Sequence, residues 1–226
     1  MQAIVIGASG GIGGALADAL AARGDMVTRL SRGSDPRLDF DDEPGIAAAA
    51  ARLASAGPYD LMIVATGLLH GEGVAPEKSL RAIDGAALDR YFRVNATGPA
   101  LVMRHFLPLL ARDRRALFVA LSARVGSIDD NRIGGWVGYR ASKAALNQIV
   151  RTVSIELSRT HRDAIIVGLH PGTVDTPLSA PFQRGLADGQ LTTPEQSAAR
   201  LIAVLDGLGT ADSGGCFDWA GARIPA

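Results

Sequence analysis

Five short apolar runs, each followed by a longer stretch with helical spacing, constrain this chain more than any other feature. They are AIVI at 3–6, MVTRL at 26–30, LMIV at 61–64, ALFVAL at 116–121 and AIIVGL at 164–169. A strand with one wet face alternates polar and apolar residues. A run that is nearly apolar throughout has to be covered on both faces, as in a parallel sheet held between layers of helices. The segments at 12–24, 43–56, 85–111, 136–161 and 194–208 carry the helical period. Strand then helix, repeated, predicts an α/β fold: a Rossmann-type doubly wound parallel sheet in three layers. Two weaker candidates, RLDF at 37–40 and CFDW at 216–219, bring the predicted sheet to seven strands. No repeat, linker or charge run divides the chain, so residues 1–226 read as a single dinucleotide-binding domain.

The first strand runs into GASGGIGG, with five glycines among the eight residues 7–14. Glycine inside a helix costs about 1 kcal/mol relative to alanine, so the cluster answers a need other than stability. In a doubly wound fold this turn lies under a pyrophosphate, whose oxygens face the free N–H groups of the following helix at close backbone approach. Gly7, Gly11 and Gly13 give G-x-x-x-G-x-G, and Gly7, Gly10 and Gly13 equally give G-x-x-G-x-x-G. At the end of the second strand an acid would select the ribose hydroxyl of NAD, and a cation the extra phosphate of NADP. The residues there are Leu30, Ser31 and Arg32, which favours NADP(H) over NAD(H), with a plain surface cation as the alternative for Arg32. Asp39 can accept a hydrogen bond from an adenine amino group or cap the helix that follows.

Composition narrows the partners. With 23 basic and 23 acidic residues the chain has no net charge, which argues against nucleic acid or an anionic membrane surface as a partner. A single cysteine, Cys216, no Cys/His cluster, and no leader ahead of the first strand predict a cytoplasmic protein without disulfide or metal. The four histidines lack ligand spacing, and Trp136 and Trp219 read as packing anchors, with Trp136 also placed to floor a substrate pocket.

The stretch YRASK places Tyr139 and Lys143 four residues apart, on one face of a helix. A neighbouring ammonium favours phenolate and lowers a tyrosine pKa, so this pair suits proton exchange with a carbonyl or alcohol oxygen.

Taken together, GASGGIG, VNATGP, YRASK and HPGTVDTP resemble, in order and spacing, the classical branch of the short-chain dehydrogenase/reductase family over essentially the whole chain. LSARVGSI, GGWVGYRASKAALNQ and LHPGTVDTP resemble its C-factor and sniffer-type carbonyl reductase group. The resemblance implies that Gly7, Ser9, Gly11, Ile12, Gly13, Arg32, Asp39, Ala65, Thr66 and Gly67 hold the dinucleotide. It implies that Tyr139 acts as general acid, that Lys143 lowers its pKa and binds the nicotinamide ribose, and that Asn95 holds a proton-relaying water. Thr176, with the backbone near Val174, would bind the nicotinamide carboxamide, Pro171 and Gly172 would shape that loop, and 178–191 would form a short lid over a small-molecule carbonyl or alcohol substrate. Family members commonly form homodimers or homotetramers through helices corresponding to 85–111 and 136–161.

Two departures stand out. Val64, Ala65, Thr66 and Gly67 occupy the place of the family's N-N-A-G, and the substrate-orienting serine falls on Ala123. Ser122 is the adjacent candidate, but neighbouring side chains of a strand point to opposite faces, so it reaches a substrate only if the chain bulges; Ser127 is a further candidate. Two other functions compete. A nucleotide-sugar epimerase or dehydratase shares Y-x-x-x-K but needs a C-terminal substrate domain, for which the 32 residues after Pro194 are too few. A cofactor-binding regulator with little turnover is the other, supported by Ala123 and by the C-factor resemblance.

Overall fold

The apolar runs pair as expected. In the computed structural model, which describes residues 1–71, 73–187 and 189–226, strands β1 (Gln2–Ile6), β2 (Met26–Leu30), β3 (Leu61–Val64), β4 (Ala116–Leu121), β5 (Ala164–His170) and β8 (Cys216–Asp218) form one sheet. Its order is β2-β1-β3-β4-β5-β8 and every pairing is parallel. β6 (Thr173–Val174) and β7 (Leu191–Thr192) pair separately.

Alternate strand residues feed two cores. Ile4, Ile6, Met62, Val64, Phe118 and Ala120 face α2 (Glu43–Leu53), α4 (Gly98–Phe106) and α5 (Val137–Leu157). Ala3, Val5, Leu61, Ile63, Leu117 and Val119 face α1 (Gly11–Ala22) and α6 (Pro194–Gly207). That two-sided burial is why the runs lack polar residues. Because the sheet is parallel, all the strands between which the site lies end at the same edge, the loops at their carboxyl ends meet there, and ligands bind at that edge in open α/β sheets.

Three expectations are corrected. RLDF is not a strand. Leu38 and Phe40 are buried and Arg37 is exposed, the alternation of a strand, but Leu38 N–H bonds back to Ser31 O across a turn tied by Ser34 Oγ. Pro36 removes a ladder donor just before it, and the main sheet therefore has six strands rather than seven. The segment 85–111 is not one helix. It runs as α3 (Gly85–Phe92), a π turn at Arg93–Thr97, α4 and a 3-10 turn at Leu107–Leu109. Pro99 explains the interruption: it has no N–H to give and its ring crowds the carbonyl four residues earlier, that of Asn95. Finally, Asp39 does not cap α2. Asp42 does, accepting from Gly45 N at 3.0 Å.

Candidate active site

Below the carboxyl ends of β1 and β3, bare backbone shapes an open cleft of about 260 Å³. Gly7 sits at φ +87°, and a Cβ there would stand 2.9 Å from Thr66 Cγ2 and 3.0 Å from the Ala65 carbonyl. A Cβ on Gly13 would be 2.3 Å from Gly7 O, so both positions require glycine. Gly10 opens α1 with no side-chain cap and no acid in its first turn, leaving the helix N–H groups and the positive end of the helix to a ligand. Ser9 is exposed at the rim, and Ile12 packs half-buried on the core beneath. Gly11 faces Thr176, whose Cγ2 would lie 2.8 Å from an added Cβ, so the 171–176 loop closes on the start of α1. In that loop Val174 is buried, Thr176 Oγ1 donates to Val174 O at 3.3 Å, and Pro171 O accepts from Ser197 Oγ. Gly172, at φ +77°, is overlaid by Trp219, a contact the sequence did not signal.

The far end of the cleft is lined by Arg32, Asp39, Asp41 and Arg90. Asp39 accepts from Asp41 N–H and from Arg37, and these contacts, with the nearby Arg32, hold its carboxyl below the usual range. Thr66 Oγ1 is buried without a hydrogen-bond partner in the wall formed by Ala65, Thr66 and Gly67. An orphaned hydroxyl, a glycine cradle and a positive helix end together fit a dinucleotide pyrophosphate.

Behind Gly67 in the cleft wall stand the acid-base candidates. Tyr139 and Lys143, one turn apart on α5, are both buried, with Lys143 Nζ 6.0 Å from the Tyr139 ring centre. Asn95, fully buried, sits in the π turn. Its Oδ1 accepts from Leu68 N at 2.8 Å, while its Nδ2 donates to Leu68 O and to Ser142 Oγ. Ser142 in turn donates to Tyr139 O, so Asn95 is braced against the helix that carries Tyr139. Lys143 Nζ donates to Leu121 O at 2.8 Å, and Gly67 brings backbone close to both: a Cβ there would be 3.8 Å from Asn95 Oδ1 and from Lys143 Nζ. Burial dominates the electrostatics. It pushes Tyr139 well above the usual tyrosine range, with Tyr91 adding to the effect, and it brings Lys143 down to about 8. The expected lowering of Tyr139 by Lys143 is therefore not met in this structure, because desolvation outweighs an ammonium already committed to a carbonyl.

The serine candidates point elsewhere. Ser122 Oγ donates to Asn147 Oδ1 at 2.6 Å, on the α5 side of the sheet, whereas Ala123 packs in the cluster that contains Tyr139. Ser127 Oγ donates to Ala226 O. Strand parity holds to the end of β4, with no bulge to turn Ser122.

Residues invisible to sequence reasoning complete the site. Glu77, buried, caps α5 from far upstream: its carbonyl accepts from Trp136 N at 2.6 Å and its carboxylate from Gly138 N at 3.2 Å. Tyr91, pushed up to about 12 chiefly by burial, donates to Leu69 O and meets Tyr139 edge-on. Ser142, inside YRASK, was the one among them a motif could have supplied. Among the described residues no His, Cys, Asp or Glu cluster could hold a metal ion, and no helix is long and apolar enough to cross a membrane.

Comparison with known proteins gives the family of the chain. The sequence profile of the short chain dehydrogenase family matches residues 37–186. The chain belongs to the short-chain dehydrogenase family. It is 36% identical over 169 residues to "C-signal" of Myxococcus xanthus, covering 75% of this chain and 93% of that protein. It is 31% identical over 222 residues to 1-hydroxy-2-glutathionyl-2-methyl-3-butene dehydrogenase of Rhodococcus sp. (strain AD45), covering 93% of each. A short-chain dehydrogenase/reductase structure from Burkholderia multivorans with bound NADP superposes with a TM-score of 0.82 at 26% identity, covering 100% of this chain and 99% of that one. The protein is an NAD(P)H-dependent oxidoreductase with a Rossmann-type sheet, exchanging hydride between a nicotinamide and a carbonyl or alcohol. A regulator without turnover is not favoured.

Proposed function

We propose that this oxidoreductase is an NADP(H)-preferring reductase of small-molecule carbonyl compounds, with Tyr139 as the proton donor. The carrying observation is the buried group of Tyr139, Lys143 and Asn95, of which Lys143 and Asn95 lie directly behind Gly67 in the wall of a cleft whose opening turn requires glycine at 7 and 13. Bound nicotinamide supplies the hydride. Tyr139 gives its proton to the carbonyl oxygen, and its raised pKa keeps the proton in place until an oxyanion develops to draw it off. Lys143 holds the nicotinamide ribose and favours the phenolate as the proton leaves. Asn95 keeps the π turn fixed and connects the site to solvent through a relayed proton. Ser122 takes no direct part: its bond to Asn147 supports a site in which the substrate oxygen depends on Tyr139 alone.

In this reading Gly7, Ser9, Gly11, Ile12 and Gly13 seat the pyrophosphate, while Ala65, Thr66 and Gly67 line the ribose side. Pro171, Gly172, Val174 and Thr176 receive the carboxamide. Asp39 meets the adenine, and Arg32 the extra phosphate of NADP. The whole chain works as one nucleotide-binding unit with 178–191 as its lid. The groove between α4 and α5, lined by Met103, Leu107, Val153 and Leu157, supports association of copies into a dimer or tetramer. Balanced charge supports an enzyme without nucleic-acid or membrane partners, and the single cysteine supports a cytoplasmic one.

Two measurements test this reading. NADPH oxidation should proceed, slowly, with members of a panel of ketones, aldehydes and quinones; tight cofactor binding with no turnover of any member would return the regulator to favour. Arg32→Ala should weaken NADPH binding by about tenfold or more while leaving NADH nearly unchanged. An equal loss for both cofactors would remove the NADP assignment.

A further inference from the structure

Tyr139 is packed on one side almost entirely by hydrocarbon. Leu68, Leu69, Val74, Tyr91 and Ala123 form a buried cluster with Tyr139, and Trp136, Leu178 and Phe182 pack against it. Two rings close its outer side. Trp136 meets Tyr139 edge-on at 6.3 Å, and Phe182 meets Trp136 at 5.1 Å with the planes at 63°. Phe182 comes from a short 3-10 turn in the 178–191 segment and touches His70 on its other side, at 5.7 Å.

The two rings are held very differently. Trp136 is the only non-glycine among the described residues with a positive φ, +55°, and it follows Gly134 and Gly135 at +70° and +69°. Its N–H is fixed on Glu77 O, and it begins the helix that carries Tyr139. A bulky residue kept in a left-handed conformation at a helix start is over-determined by its surroundings, as happens at sites where a side chain has to be aimed. Phe182 is half-buried, on a loop with positive-φ glycines at 185 and 189, and is held there by edge-to-face contacts weak enough to be exchanged for a ligand.

Among the described residues, the polar groups on this side are already engaged, Glu77 with Gly138 N. His70 Nε2 is engaged with Pro177 O and Tyr91 Oη with Leu69 O, and Ala123 offers nothing. A substrate hydroxyl next to the carbonyl would lose its water and find no replacement.

We propose that Trp136 and Phe182 form an aromatic clamp that selects carbonyl compounds whose carbonyl carbon is bonded to, or is a member of, an aromatic or alicyclic ring, which enters by parting the two side-chain rings. The proposal rests on the carbonyl-reductase reading for its chemistry but not for its binding. Two kinds of experiment separate them. In turnover with NADPH, kcat/KM for acetophenone and cyclohexanone should exceed that for dihydroxyacetone by about 100-fold. Phe182→Ala should raise KM for the two cyclic ketones by about 10- to 100-fold with kcat within a few-fold, leave dihydroxyacetone nearly unchanged, and be restored by Phe182→Tyr. In binding, acetophenone should quench Trp136 emission in a Trp219→Phe, Tyr139→Phe protein saturated with NADPH, and adding Phe182→Ala should weaken that binding to the same degree. Quenching that depends on Phe182 without turnover of any carbonyl by the wild type would leave the clamp standing and overturn the reductase reading. Turnover of dihydroxyacetone as efficient as that of the cyclic ketones, or binding of acetophenone indifferent to Phe182, would overturn the clamp and spare the reductase.

Discussion

The two sides of the site are built by opposite means. The dinucleotide cleft is open, polar at its rim, and defined by backbone: glycines at 7 and 13, a helix end without a cap, and the carbonyl of Ala65. The substrate side is closed, apolar, and defined by side chains drawn from four separated stretches: Leu68 to Glu77, Tyr91, Ala123 to Tyr139 and Leu178 to Phe182. The first is a property of local sequence, since a Cβ either fits or does not. The second depends on how distant segments meet. A cofactor common to many reactions can be held by a constant turn, while selection among substrates is left to side chains that can vary without disturbing it.

Substitutions can break this contrast or sharpen it. The largest effect is expected for Tyr139→Phe, which removes the hydroxyl proposed to donate to the substrate oxygen. It should lower kcat for carbonyl reduction by about 10² to 10⁴ while changing NADPH affinity by no more than a few-fold, read by initial rates beside fluorescence titration. Comparable losses in both would mean that the two sides are not separable. Next comes Ala123→Ser, which returns a donor to the place where relatives in the family carry one. A rise in kcat of about 10- to 100-fold is expected, smaller than the cost of deleting a preorganised donor because nothing around it was built to aim it. Ser122→Ala should change kcat by less than a few-fold, and a drop near 100-fold would show that Ser122 turns toward the substrate in solution.

A separate effect, on stability rather than rate, concerns Lys143. Burial lowers it from 10.5 to about 8, so between those values the unfolded chain binds more protons than the folded one and stability rises with pH. Below about pH 8 both states carry the charge and the burial penalty is present in full, on the order of 3 kcal/mol. Lys143→Met should therefore be the more stable protein near pH 7 despite losing activity. Its advantage should shrink from pH 8 to 10, before Tyr139, whose raised pKa acts with the opposite sign above pH 10, begins to contribute. Urea midpoints across that range decide it; a gap independent of pH would mean that Lys143 stays fully charged in the fold.

Legibility in the sequence follows the same division. Gly7, Gly13, Asn95, Tyr139 and Lys143 were readable because each belongs to a short motif whose geometry is fixed within one turn. Ala123 was readable as a gap in such a motif, and strand parity anticipated where Ser122 would point. RLDF failed because alternation predicts burial, not hydrogen bonding, and the turn at Ser31 to Ser34 took the backbone donor first. The break at Arg93–Thr97 was signalled by Pro99, though its π form was not. Glu77 carried no signal at all, and Trp219, readable as a packing anchor, and Phe182, inside the expected lid, carried none of their partners, since each acts through a contact with a segment far away in the chain.

Glu77 has a consequence for anyone who would move this chemistry to another scaffold. The turn that launches Trp136 and Tyr139 is tied off by the carboxylate and the carbonyl of Glu77, the carboxylate reaching Gly138 across 61 residues of chain. A graft of the YRASK helix by itself would arrive with its opening amides bare and its tryptophan free to relax into an ordinary conformation. The smallest transplantable unit is thus two strands of text rather than one, and a chimera that swaps the helix between relatives while ignoring the stretch around position 77 would inherit the reactive groups without their aim.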